Sequence, residues 1–175
     1  MDWWCRVVTL QEFVNTYNGT TVGDGQCVAL VKQYEQDVLG LTPQAVGNAH
    51  QYYDDFYNQP FLYENFDRIT YDGSNLPNVG DIIIWSTAVG GGYGHIAIVY
   101  ENISSSSFTS FDQNWNTPLV CNIENHNYNN VLGWIRKKGI VPPIPTIKKK
   151  SKFPWAVLTN KIRNKRYIKY LFFIV

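Results

Sequence analysis

The chain has 175 residues, of which 45% are hydrophobic, 17% charged and 15% aromatic, with 12 Tyr and 6 Trp; this suits one globular domain with a real core and excludes a disordered or low-complexity class for residues 1–135. The formal net charge of +1 hides a split: residues 1–135 hold all 14 acidic but only three of the 15 basic residues, a net −11, and residues 136–175 carry +12. Three widely spaced cysteines, Cys5, Cys27 and Cys121, with no CxxC, exclude a disulfide framework.

The start, MDWWCRVVTLQEF, has no charged segment followed by an apolar one, so no secretory signal is expected and synthesis belongs in a reducing cytoplasm. From Cys27 to Leu39, the apolar residues Cys27, Val28, Val31, Tyr34 and Val38 follow the spacing of a helix face. Gly40 is its predicted stop, and Asp24 can cap N–H groups at its start. A second helix is predicted over Asn48–Tyr57, with His50 exposed on it. After Gly73 the pattern turns to strands: Val79–Trp85, His95–Tyr100, Phe108–Asp112 and Leu132–Lys137, separated by loops rich in Gly, Ser and Asn. Helices first and consecutive strands afterwards predict an α+β domain, with N-terminal helices packed on a mostly antiparallel β-sheet. The domain is expected to end near Gly139. Three prolines in IVPPIPTI make residues 140–147 an extended linker, and residues 148–175 form a basic tail, poorly ordered or the remnant of a wall-binding region. The apolar run Tyr170–Val175 is far shorter than the ~20 residues that a membrane span needs.

Chemistry concentrates around Cys27. A thiol attacks only as thiolate, and the first turn of a helix favours negative charge through its dipole and unpaired N–H groups. A buried, inert cysteine on a helix face is the alternative for Cys27 taken singly. His95 follows the flexible AVGGGYG loop and opens the alternating strand HIAIVY, where it can meet a helix-borne thiol across a cleft; taken singly, it can equally be a structural histidine. In FDQNW, residues 111–115, Asp112 or Asn114 can accept from the far imidazole nitrogen and orient the ring, or can simply begin a turn before Pro118. Trp85, Tyr93 and Trp115 line or flank this cleft, or are ordinary core aromatics. Specificity is expected in the loops 86–93 and 122–130. GGGYG at Gly90 to Gly94 does not fit a phosphate-binding loop, which excludes nucleotide chemistry. Cys121 and His126 have no second pair of ligands and make only a remote zinc option.

Taken together, GDGQCVALVKQY around Cys27, GDIIIW at Gly80 to Trp85, GHIAIVY at Gly94 to Tyr100, and FDQNW resemble the CHAP family of cysteine, histidine-dependent amidohydrolases and peptidases, found in phage endolysins and bacterial wall-remodelling enzymes. The resemblance covers about residues 8–139. It implies a papain-like α+β fold, with Cys27 as nucleophile, His95 as base, and Asp112 and Asn114 as supporting residues. Asp112 stands where many relatives have Glu and reaches one methylene less far, so Asn114 ranks first as orienter. The Cys27 backbone N–H, with Gln26, is expected to hold the oxyanion. Several phage relatives carry an Asp-rich calcium loop before the cysteine; here only Asp24 is present, so no metal and no cofactor is expected. The implied substrate is the stem peptide or cross-bridge of bacterial peptidoglycan, cut by a monomer acting as N-acetylmuramoyl-L-alanine amidase or endopeptidase, with no nucleic acid partner. A non-catalytic wall-binding module and a processing peptidase are the rival implications.

Overall fold

A computed structural model describes residues 8–139. The expected linker at 140–147 and tail at 148–175 lie outside the described residues. In chain order come α1 (Leu10–Tyr17), α2 (Cys27–Asp37), α3 (Gln51–Asp54), α4 (Pro60–Asn65), β1 (Phe66–Thr70), β2 (Ile82–Trp85), β3 (His95–Glu101), β4 (Phe108–Gln113), β5 (Cys121–His126) and β6 (Val131–Lys137).

Helix α1, which periodicity did not announce, starts on a capping box. Thr9 Oγ1 accepts from Glu12 N at 3.2 Å and Glu12 Oε2 accepts from Thr9 N at 3.0 Å, so two otherwise unpaired N–H groups are satisfied. Helix α2 begins at Cys27 as expected but ends at Asp37, two residues early. Gly40, at φ +64°, turns the chain so that Leu41 N–H returns to Glu35 O at 2.9 Å. Asp24 does not cap α2: its Oδ1 accepts from the N–H of Gln26, the residue before the first turn, and no side chain caps the helix.

The long helix expected over Asn48–Tyr57 is broken into α3 and a single 3-10 turn, Phe56–Asn58. Pro60 opens α4, where its missing N–H costs nothing, and holds Gln59 extended at φ −112°, ψ 100°, so no helix can run through. His50 is half-buried, with Nδ1 on Asp54 Oδ2 at 2.8 Å, rather than exposed.

All strands join one antiparallel sheet in the order β1-β6-β2-β3-β4-β5. The α+β architecture expected from the order of elements is therefore present. Strand β2, IIIW, is buried along its whole length, which explains its unbroken apolar run. It starts at Ile82 rather than Val79, because Asn78 N–H closes a turn on Asp81 Oδ2 at 2.7 Å and leaves Val79 exposed. Ile82, Ile84, Ile96, Ile98, Phe111 and Ile135 form one apolar face, covered by Phe13 of α1 and Leu30, Val31 and Tyr34 of α2. On the opposite face Ile83, Trp85, Ala97, Val99, Phe108 and Trp134 form a second core. On the inner side of α2, Glu35 is fully buried with both carboxylate oxygens unpartnered, as is the hydroxyl of buried Tyr52. Burial pushes the Glu35 carboxyl up to about 8, against the pull of Lys32. Among the described residues, no helix is long and apolar enough to cross a membrane.

Candidate active site

The two ends of the predicted pair are set by element boundaries. Cys27 is the first residue of α2 and half-buried; His95 is the first residue of β3 and 3% exposed. Gly94 makes that approach feasible. At φ +74° it occupies backbone space open to glycine, and a Cβ there would lie 2.7 Å from Trp85 O and 2.9 Å from His50 Cβ.

His95 Nε2 lies 2.5 Å from Asp112 Oδ1. An ionised carboxylate only accepts, so Nε2 carries the proton and Nδ1 is the nitrogen left for Cys27, whose proximity favours charge on the imidazole. Burial disfavours charge on the ring, but the bonds and charges of Asp112 and Cys27 outweigh it and raise His95 from 6.5 to about 9. Burial likewise works against the Asp112 carboxylate, yet hydrogen bonds from His126 and His95 hold it down at about 2. At neutral pH the pair is an imidazolium on a carboxylate.

The expected order of the two orienters is reversed. Asp112, not Asn114, holds the ring. Strand pairing of Ile98 with Phe111 puts Asp112 on the same face as His95, one diagonal step away. Asn114 falls just past the end of β4 and takes a left-handed conformation, φ +64°. Its side chain turns aside: Nδ2 donates to Gln26 Oε1 at 3.0 Å, and Oδ1 accepts from Leu119 N at 3.0 Å. Gln26 is thereby fixed beside Cys27 through its side chain.

Two residues that periodicity did not single out belong to the same network. Gln113, fully buried on the other face of β4, accepts at Oε1 from Val22 N at 2.7 Å and from Cys121 Sγ at 2.9 Å; its Nε2 donates to Val22 O at 3.0 Å and Gln26 O at 2.7 Å. It ties the loop before Cys27 to the strand that carries Asp112. His126 of β5 donates from Nε2 to Asp112 Oδ2 at 3.1 Å, and Ser110 Oγ donates to the same oxygen at 2.5 Å. Cys121 and His126, five residues apart on one strand, point to opposite faces and do not converge on a metal. The span 122–130, expected as a loop, is largely β5.

Trp85 and Trp115 flank His95, with ring centroids at 5.3 and 4.7 Å. Tyr93 stands apart from them, 63% exposed on the glycine-rich loop; its carbonyl accepts from His50 N at 3.2 Å. The arrangement can take a proton from Cys27, hold it on a ring whose charge is compensated from behind, and return it to a leaving group.

Known proteins are similar to this chain. A family model of the CHAP domain matches residues 15–114, a span that includes Cys27, His95, Asp112 and Asn114 and stops short of His126. A probable autolysin PH of Staphylococcus aureus (strain NCTC 8325 / PS 47) is 44% identical over 66 residues, 34% of this chain and 13% of that protein. Endolysin LysK of Staphylococcus phage K is 35% identical over 95 residues, 52% of this chain and 17% of that protein. The matches thus span less than a fifth of either relative. Among solved structures, the wild-type endolysin LysIME-EF1 superposes with a TM-score of 0.58 at 32% identity, covering 79% of this chain and 66% of that one. Ly7917, at 18% identity and a TM-score of 0.54 over 71% of this chain and 60% of that one, shares the fold. The family model covers more than half of the sequence, from within α1 to the residue after β4, and the chain belongs to the CHAP domain family.

Proposed function

We propose that this chain is a peptidoglycan hydrolase of the phage-endolysin kind, which cuts an amide bond in the stem peptide or cross-bridge by cysteine nucleophilic catalysis. The observation that carries this reading is His95 bonded through Nε2 to the buried Asp112 carboxylate, which leaves its other nitrogen for the nearby Cys27 at the start of α2. The endolysin and autolysin relatives support the choice of substrate.

In the first step Cys27 Sγ, its proton already held on His95 Nδ1, bonds to the carbonyl carbon as the C=O π electrons move onto oxygen. The oxyanion that forms is met by the Cys27 N–H at the uncapped start of α2 and by the Gln26 side chain. Because Asn114 occupies Gln26 Oε1, it leaves Nε2 to donate. His95 then gives its proton to the leaving amine and the C–N bond breaks, leaving a thioester on Cys27. Water, losing a proton to the same ring, attacks the thioester; the C–S bond breaks and a carboxylate is released. Asp112 stays ionised throughout and compensates the imidazolium. Half-buried Trp115 and the exposed Tyr93 offer aromatic surface to the substrate, and the buried Trp85 backs His95. No step calls on a metal or cofactor, and one chain supplies every group, so a monomer suffices. Synthesis in the host cytoplasm and action on the wall complete this proposal.

Cys27→Ala should leave the fold intact and abolish the loss of turbidity of a wall suspension. Lysis by the folded variant would overturn the assignment, and binding without cutting by the unaltered protein would make it a wall-binding module instead. Mass spectrometry of the released muropeptides then distinguishes amidase from endopeptidase cleavage.

A further inference from the structure

Asp112 is 1% exposed, and an ionised carboxylate at that depth is tolerated only when its oxygens are matched by donors. Oδ1 serves His95, while Oδ2 receives Ser110 Oγ and His126 Nε2. His126 is itself 7% exposed and its ring is wedged between Trp85, Trp115 and Phe108, at centroid distances of 4.9, 4.8 and 5.5 Å. Trp85 and Trp115 are the same two rings that flank His95. One carboxylate and two shared indoles therefore hold both histidines in a fixed relation, on a strand beyond the matched family span. A histidine serving only as filler would not need its donor nitrogen aimed at the one carboxylate that orients the reacting ring.

We propose that His126 is a positioning residue that acts on His95 through Asp112: its Nε2–H keeps the buried carboxylate ionised and turned, so that His95 can stay charged beside Cys27. This rests on the reading of Cys27 and His95 as the reacting pair, but not on the identity of the substrate. Without that donor, the buried Asp112 draws the shared proton from His95 onto itself, and Cys27 loses its charged partner.

The test follows alkylation of Cys27 by iodoacetamide at neutral pH, read by peptide mass spectrometry because the chain has 3 cysteines. His126→Phe keeps an aromatic ring in the box but removes the donor, and should slow alkylation at least about tenfold. His126→Gln places an amide donor at the same reach and should stay within about threefold of the parent. In an Asp112→Asn background, His126→Phe should change the rate by less than about twofold, because the route it acts through is already cut. The proposal is overturned if His126→Phe leaves the rate unchanged, if both substitutions slow it alike, or if the two losses multiply in the double variant. Circular dichroism and thermal melts establish that each variant compared is folded. A parent whose Cys27 alkylates in this pattern but never lyses walls supports His126 and overturns the hydrolase reading.

Discussion

Asp112 carries one negative charge between two histidines, and that charge defines the pH range over which the site is held together. Its carboxyl is depressed to about 2 from 3.8, so the stabilisation it contributes is complete above 3.8 and is lost as pH falls through about 2. His95 is shifted the other way, from 6.5 to about 9, so its share is complete below 6.5 and is lost as pH rises through about 9. The difference in melting temperature between the parent and Asp112→Asn should therefore be widest between 3.8 and 6.5 and shrink on both sides; a gap that ignores pH would detach the pair from these titrations. The same substitution leaves His95 buried without its carboxylate, so its ring loses its charge at neutral pH. Turnover should drop by at least about 100-fold. Much of this was legible in the sequence. Cys27 and His95 stand at the helix start and strand start that the sequence pattern predicts, and FDQNW contains the carboxylate that meets His95. The choice between Asp112 and Asn114 was not legible, because it depends on where β4 ends: a left-handed φ at Asn114 sends its amide to Gln26 rather than to His95.

Among the elements, the strands with continuous apolar or alternating runs, β2, β3, β4 and β6, could be read to within a few residues at their ends. The edge strands β1 and β5 could not. CNIENH buries only its two ends, so its four middle residues look like loop, and the partner that makes it a strand is β4, eight residues back in sequence at its nearest register pair. His126 was beyond reach for the same reason: its role appears only once Phe108 and His126 are seen opposite each other. Helix α2 has no capping side chain, and Gln113 holds the loop that leads into it from β4, by fixing Val22 and Gln26. Gln113→Leu fills similar volume but leaves the buried Val22 N–H without that partner, a loss of about 1–3 kcal/mol. The variant should fold with a lowered melting temperature and cut more slowly at saturating substrate, because Cys27 no longer has a fixed position relative to His95. An unchanged kcat with a merely lower Tm would confine Gln113 to stability.

At the level of the whole described domain, the sheet separates two environments. One face is an apolar core under α1 and α2; the other carries His95, Asp112, Ser110 and His126 among aromatic rings. One titratable exception on the helix side is Glu35, whose carboxyl, raised from 4.5 to about 8 by burial, is protonated at neutral pH. A raised carboxyl favours the fold below 4.5 and disfavours it progressively as pH rises through about 8. Glu35→Gln, neutral at every pH, should melt with the parent below 4.5 and about 5 °C or more above it once pH passes 8. Equal melting temperatures at both ends would show that Glu35 titrates normally.

The contacts that fix the reacting thiol span an unusual length of chain. Gln113 reaches back 91 residues to Val22, and Asn114 reaches 88 back to Gln26. Closing so long a loop costs entropy before any contact repays it. Synthesis adds a delay: a nascent chain that has already formed α2 still lacks Asp112, Gln113 and the strand that bears His126. The nucleophile thus acquires its partners only when nearly the whole domain has been made and has condensed around it, and reactivity at Cys27 becomes a signature of completed folding rather than of the helix on which the cysteine sits.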